Sequence, residues 1–182
     1  MREFEEFVLA RGDALLRTAH LLTGDRGHAE DLLQTALERL ARSWRRIDGD
    51  PEGYVRRTLV NLATDRWRQR GRRVREVPDG EYDRAAPDDP ALAVEQRQDL
   101  VRALQTLPPR QRAVLVLRYF DDLPEAQVAQ ALGISVGTVK STSSKALARL
   151  RASSLSSSPS TTTSTSTPTS TPTSTPTSGS SR

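Results

Sequence analysis

The last thirty residues of this chain are almost wholly serine, threonine and proline, which limits the part that can fold to about 150 residues. Such a segment cannot bury enough apolar surface to offset the entropy lost on ordering, so we predict that residues 153–182 are disordered. Aromatic residues make up only 4% of the chain, which argues against a large core. Small helical modules fit this sequence better than a sandwich or a barrel.

Apolar residues recur at helical spacing along the foldable part, and no strand pattern competes with them. The periodicity predicts three helices in the first part, at 4–22, 27–47 and 51–73. It predicts four shorter helices in the second part, at 92–105, 109–120, 124–132 and 135–150. We therefore predict an all-α protein with one small helical domain at 1–75 and a second at 91–152.

Charge is strongly segregated between two neighbouring segments. Residues 53–75 contain eight arginines and a single acid, Asp65, whereas residues 76–90 contain six acids and one arginine. The basic segment indicates a polyanionic partner. The acidic segment, rich in proline and glycine, is predicted to be a flexible linker between the two domains.

Cysteine is absent, which excludes disulfides, thiolate metal sites and cysteine nucleophiles. No apolar run approaches the length of a membrane span, and the N-terminal residues lack the pattern of a signal peptide. We expect a cytoplasmic protein without membrane insertion, metal or other cofactor.

The sharpest local signal is a helix-turn-helix pattern between residues 125 and 145. Ala129 supplies the small residue where two helices touch, Gly133 suits a left-handed turn, and Val139 returns a side chain to the shared core. Ser135 is a plausible N-cap for the second helix. The helix has no acid, and its outward face can reach base edges and phosphates with short hydroxyls and cations. The residues of this face are Thr138, Lys140, Ser141, Thr142, Ser144, Lys145 and Arg149. The alternative is a helical hairpin with a solvated polar face.

The third predicted helix combines arginines with an amide and an aromatic residue. Arginines neutralise phosphates, Asn61 can hydrogen-bond a base edge, and Trp67 can stack on an unpaired base. The alternative is a solvated basic helix whose Trp67 packs in the core. Two basic elements on one tether suit the recognition of two DNA sites at a fixed spacing.

Three motifs together resemble the sigma-70 family of RNA polymerase sigma factors. The stretch HAEDLLQTALERL from His28 resembles region two of the extracytoplasmic-function group. The stretch YVRRTLVNLATDRWR from Tyr54 is similar to the segment that opens and reads the −10 element. The stretches LPPRQRAVLVLRYFDDLPE from Leu107 and GTVKS from Gly137 are similar to region four, which reads the −35 element. The resemblance covers residues 4–151 and is nearest to the sigma-E-like branch of actinobacteria.

This resemblance implies a two-domain sigma factor without enzymatic activity, whose partners are core RNA polymerase, promoter DNA and, in some family members, an anti-sigma factor. It implies docking on the β′ clamp helices by Asp31, Leu32, Gln34 and Glu38, with region four on the β flap. It implies reading of the −10 strand by Arg57, Asn61, Asp65, Trp67 and Arg68, with the loop at 48–53. It places Thr138, Lys140, Ser141, Ser144 and Lys145 at the −35 major groove. Family members often carry arginine or an aromatic residue at 142–144, so the bases read here are left open.

Two other functions stay open at this point. A helix-turn-helix regulator that acts without polymerase explains residues 107–151 but not the first three helices. A helical nuclease is the enzymatic alternative, although His20 and His28 lack the spacing and third partner of a metal or general-base site. Binding to core polymerase distinguishes a sigma factor from a helix-turn-helix regulator that acts without polymerase.

Overall fold

The computed structural model of the chain describes residues 2–47, 49–73 and 91–156, and every regular element in these ranges is helical. The all-α prediction is therefore confirmed. The predicted acidic linker and the predicted tail beyond residue 156 lie outside the described ranges. The helices are α1 Arg2–Thr23, α2 Arg26–Ser43, α3 Pro51–Arg73, α4 Ala91–Gln105, α5 Pro109–Leu115, α6 Glu125–Leu132 and α7 Val136–Ser156.

The N-terminal half consists of α1, α2 and α3, which all pack against one another. Gly24 ends α1 in a left-handed conformation (φ +77°), and Asp25 begins α2 as its N-cap, accepting a hydrogen bond from the His28 amide at 2.7 Å. The bundle core is formed by one apolar stripe from each helix, which includes the fully buried Leu15, Leu40 and Leu59.

The second helix is shorter than predicted because its C-terminus tightens into a 3₁₀ turn, Trp44–Arg46. The turn places the Trp44 ring edge-on against Phe4, with ring centroids 5.4 Å apart, and within 5.8 Å of Phe7. This aromatic cluster fixes the end of α2 to the start of α1.

The C-terminal half consists of α4 to α7. Pro109 occupies the first turn of α5, where its missing amide hydrogen has no intrahelical partner to lose. The predicted single helix from 109 to 120 is instead α5 followed by a π-helical turn, Val116–Phe120, in which the Asp121 amide donates to the Val116 carbonyl at 3.1 Å. Beyond it, Asp122 adopts a positive φ of 49°. The last helix, α7, continues to Ser156, past its predicted end at residue 150. This corrects the predicted start of the disordered tail, because residues 153–156 are helical.

The two halves pack against each other. Helix α1 contacts α4, α5 and the π-helical turn, while α3 contacts α5 and α6. The buried apolar residues of both halves form one continuous cluster. No helix among the described residues is long and apolar enough to cross a membrane.

Candidate nucleic-acid interface

Helices α6 and α7 form the helix-turn-helix that the sequence predicts. Gly133 lies in the left-handed region (φ 62°, ψ 41°), and the Ile134 amide donates to the Ala129 carbonyl at 3.0 Å to close the turn. Ala129 is 6% exposed and Val139 is fully buried, so both anchor the contact between the helices. The turn separates α7 from α6 and directs α7 outward.

Ser135 is the N-cap of α7, as predicted. Its hydroxyl oxygen accepts from the Thr138 amide at 3.1 Å and lies 2.8 Å from the Thr138 hydroxyl. The cap fixes the first turn of α7, the part of a recognition helix that approaches base edges. Because the Thr138 hydroxyl is engaged with the cap and its side chain is half-buried, Thr138 lies at the edge of the predicted DNA face.

The other predicted DNA-facing residues of α7 form one exposed surface, made of Lys140, Ser141, Ser144 and Lys145. At 3.6 residues per turn they occupy an arc of about 140°. The helix sequence contains no aspartate or glutamate. An acidic side chain of the neighbouring helix α6 does approach this surface: the Glu125 carboxylate lies 3.6 Å from the Lys140 ammonium.

A second exposed surface lies on α3. Arg57, Asn61, Asp65 and Arg68 are exposed and fall within an arc of about 80°. Asp65 lies 3.7 Å from Arg68, which orients that guanidinium along the helix. This surface offers cations for phosphates beside an amide for a base edge. In the loop before α3, Asp48 lies outside the described residues.

Trp67 is 52% exposed, which excludes the alternative that it packs in the core. Trp67 is six residues from Asn61, which leaves the two side chains about 120° apart around the helix axis. Trp67 therefore does not share the surface of Asn61. Trp67 lies instead on the side of α3 that carries Arg56 and the buried Val60. The five residues predicted to read the −10 strand therefore divide into a surface of four and a separate exposed indole.

A third surface lies on α2, where the exposed Asp31, Gln34 and Glu38 follow one another along one side. The Gln34 amide donates to Glu38 at 3.4 Å, and Glu38 lies 3.7 Å from Arg42. Leu32 corrects the prediction, because its side chain is 6% exposed and belongs to the core. It cannot present its side chain to a partner.

Sequence reasoning missed the apolar groove beside this surface, between α1 and α2. Leu33 and Leu37 form its floor with Phe4 and Val8, and the polar Gln34 and Glu38 lie at its rim. The signal was available, since Leu33 and Leu37 are four residues apart and fall outside the buried stripe of α2. An apolar floor with a polar rim is the usual form of a protein-docking surface.

The sequence matches two family models, one on each half. The model of Sigma-70 region 2 matches residues 7–73, and the model of Sigma-70, region 4 matches residues 97–150. The RNA polymerase sigma-E factor of Streptomyces coelicolor is 45% identical over 154 residues, covering 82% of this chain and 84% of that protein. The sigma-E factor of Streptomyces avermitilis is 44% identical over 151 residues, covering 82% and 83%.

Two solved structures share the fold over most of the chain. The sigma factor RpoE of Bartonella quintana, in complex with the anti-sigma factor NepR, has a TM-score of 0.68 at 24% identity and covers 84% of this chain and 96% of that one. CnrH in complex with the cytosolic domain of CnrY has a TM-score of 0.61 at 22% identity and covers 86% and 90%. At these identities the likeness concerns the fold alone.

Proposed function

The chain belongs to the sigma-70 family of RNA polymerase sigma factors, and from that premise we propose how its three exposed surfaces divide the work of promoter recognition. A sigma factor binds core RNA polymerase and directs it to promoter DNA, so this protein acts in transcription initiation. The hypothesis of a regulator that acts without polymerase left the first half unexplained, and that half matches region 2.

For promoter DNA, we propose that α7 reads the −35 element in the major groove through Lys140, Ser141, Ser144 and Lys145. We propose that the α3 surface of Arg57, Asn61, Asp65 and Arg68 holds and reads the −10 strand, and that Trp67 stacks on a base once the strands separate. The observation that carries this division is the pair of exposed cationic surfaces on two separate helices, one of them free of acids. Their cations make binding salt-dependent.

For polymerase, we propose that the groove between α1 and α2 docks on the β′ clamp helices, with Gln34 and Glu38 at its rim and Asp31 on the adjoining surface of α2. We propose that the C-terminal half docks on the β flap. We also propose that the protein has no catalytic activity of its own and works in the cytoplasm. An anti-sigma partner is supported by one structural neighbour, the sigma factor RpoE of Bartonella quintana, which was solved in complex with the anti-sigma factor NepR.

Initiation by reconstituted holoenzyme tests the proposed function directly. The purified chain should co-elute with core RNA polymerase and support runoff transcription from a library of upstream regions of the source genome. The start sites should share upstream sequences near −35 and −10. A chain that binds these DNA fragments without core polymerase and never supports initiation would contradict the proposal.

Changing the groove floor should weaken polymerase binding. In a Leu37→Glu variant a carboxylate replaces an apolar contact, and burying it against the clamp helices costs desolvation energy, so we expect at least about tenfold weaker binding to core. Leu9→Glu is the matched control, since Leu9 is 86% exposed on α1 and outside the groove. Binding would be measured by fluorescence anisotropy of labelled chain titrated with core. Equal affinities of the two variants for core polymerase would show that the groove is not part of the interface.

A further inference from the structure

The proposed reading of the −35 element by α7 leaves one neighbouring side chain unused, the carboxylate of Glu125 at the start of α6. It lies 3.6 Å from the Lys140 ammonium, and the Glu125 and Lys140 side chains are 33% and 65% exposed. Helix α7 has no aspartate or glutamate of its own. Glu125 therefore brings to this surface a carboxylate that the recognition helix itself lacks.

The packing of the helix-turn-helix holds Glu125 and Lys140 beside each other. Glu125 is the first residue of α6, three positions before the fully buried Val128, whose amide donates to the Pro124 carbonyl at 3.0 Å. Lys140 directly follows the fully buried Val139, which anchors α7 against α6. Backbone and core contacts therefore set the two positions, because an ion pair between solvent-accessible side chains adds little stability by itself.

Glu125 and Lys140 differ from the hydroxyl side chains of this surface, because each offers one kind of hydrogen-bonding group. An ammonium group donates and a carboxylate accepts, whereas the hydroxyls of Ser141 and Ser144 do both. A hydroxyl therefore bonds to either kind of base atom and discriminates poorly between them. The charged atoms of Glu125 and Lys140 are 3.6 Å apart, which is longer than a normal hydrogen bond. Ammonium hydrogens and carboxylate lone pairs thus stay available to a base.

The edge of a base pair in the major groove carries the complementary pattern. Guanine O6 and thymine O4 accept hydrogen bonds, and cytosine N4 and adenine N6 donate them. Within a pair, the keto oxygen of one base and the amino nitrogen of the other are hydrogen-bonded to each other, so they are about 2.9 Å apart. A donor and an acceptor that lie 3.6 Å apart on the protein can therefore reach both atoms of one base pair at once.

We propose that Glu125 is a specificity-determining residue for the −35 element, and that with Lys140 it reads one base pair by its keto and amino groups. Lys140 donates to guanine or thymine on one strand, and Glu125 accepts from the amino group of the complementary cytosine or adenine. This assignment rests on the proposed placement of α7 in the −35 major groove. The discrimination comes from Glu125, because adenine N7 also accepts from a lysine, whereas the carboxylate is repelled by the thymine oxygen that then faces it.

A binding selection measures this preference. Holoenzyme made from the full chain and core RNA polymerase is mixed with variants of one promoter from the runoff library, in which each base pair of the −35 element is replaced in turn by the three others. Bound and free fragments are then sequenced. For the unchanged protein we expect one position at which G·C and T·A are bound at least about fivefold more tightly than A·T and C·G, with the keto base on the same strand in both favoured pairs.

Glu125→Gln should remove the preference at that position alone. A glutamine amide both donates and accepts, so we expect the preference to fall below about twofold, and A·T should gain most because adenine N7 still accepts from Lys140. Glu125→Ala removes the acceptor without supplying a donor, and it should flatten the same position. Asp99→Asn is the matched control, since it removes an exposed carboxylate from an ion pair with Arg102 on α4. It should leave every preference unchanged.

Lysine variants separate a failure of this assignment from a failure of the proposed function. Lys140→Ala should weaken binding and flatten the same position as Glu125→Gln. If Lys140→Ala and Lys145→Ala weaken binding while Glu125→Gln leaves all preferences unchanged, α7 reads the element without Glu125, and the assignment is overturned. An equal loss of affinity for every sequence in both Glu125 variants would mean that Glu125 supports the fold, and would overturn it as well. If neither lysine affects binding, the proposed function itself fails, and the role of Glu125 fails with it.

Discussion

Replacing Arg112 with alanine will lower the free energy of unfolding by about 3 kcal/mol, the largest loss that we expect from any single polar residue in the described part of the chain. The Arg112 side chain is buried, and its guanidinium donates to four backbone carbonyls, those of Leu22, Leu104, Gln105 and Leu107. Three of these carbonyls lie where α4 turns into α5, and the fourth ends α1. Truncation leaves buried acceptors without their charged donor, and neither water nor another side chain replaces it fully.

Thermal unfolding followed by circular dichroism measures this loss, which should lower Tm by about 10 °C for a domain of this size. Arg110→Ala is the control, because Arg110 lies two residues away in α5 with its side chain exposed. It should shift Tm by no more than about 2 °C. If the two variants had the same Tm, the four hydrogen bonds would contribute little to stability. The turn between α4 and α5 would then be held by its apolar contacts alone.

The second large effect concerns the two proposed DNA-reading surfaces, because substitutions on them should impair different steps of initiation. Lys140→Ala and Lys145→Ala remove exposed cations of α7, and each should weaken closed-complex formation by roughly 1–3 kcal/mol, or about fivefold to 150-fold. Asn61→Ala and Trp67→Ala should bind duplex promoter nearly normally and form open complexes poorly. Their contacts, as proposed, arise only when the strands have separated.

Gel-shift titration of holoenzyme reports the first step, and permanganate reactivity of −10 thymines reports the second. A template with a pre-melted −10 bubble should rescue variants that are deficient in strand opening, and it should do little for the lysine variants. Arg17→Ala, which removes an exposed cation of α1, serves as the control for charge alone. Equal loss of duplex binding by both classes would contradict the division between α7 and α3.

Trp67 and Asn61 need not behave alike, because they lie on different sides of α3. If Trp67 stacks on an unpaired base, its loss should cost roughly 1–3 kcal/mol of open-complex stability, and phenylalanine should restore part of it. Because the Trp67 side chain is exposed, we expect the circular dichroism spectrum to be unchanged by the substitution.

Much of the fold could be predicted from sequence because helical periodicity is a local signal. The bounds of α1 and α3, the left-handed Gly133 and the Ser135 cap all follow from residues within a few positions of one another. The error at Leu32 is also local in origin. One position along a helix is a rotation of about 100°, which separates the buried Leu32 from the groove-lining Leu33.

The packing of the two halves could not be predicted in the same way. Thr18 and Asp121 are 103 positions apart, and Leu22 and Arg112 are 90 positions apart. Neither residue of such a pair lies in a local sequence pattern that identifies its partner. The acidic segment between the halves favoured two independent domains, and it says nothing about whether their surfaces are complementary.

The π-helical turn is, in effect, one surplus residue inside a helix. A residue added to an α-helix advances the phase of everything after it by about 100°, so the turn sets the direction in which Asp121 points without altering any side chain. The stretch Val114–Leu117 is uniformly apolar and buried, so it can pack in the core whether or not the helix contains the extra residue. A deletion of one residue here would therefore keep a continuous apolar helix while turning the carboxylate away from Thr18 and Arg56. Among relatives of this protein, alignment gaps at this point are where we would look for loss of this contact between the two halves.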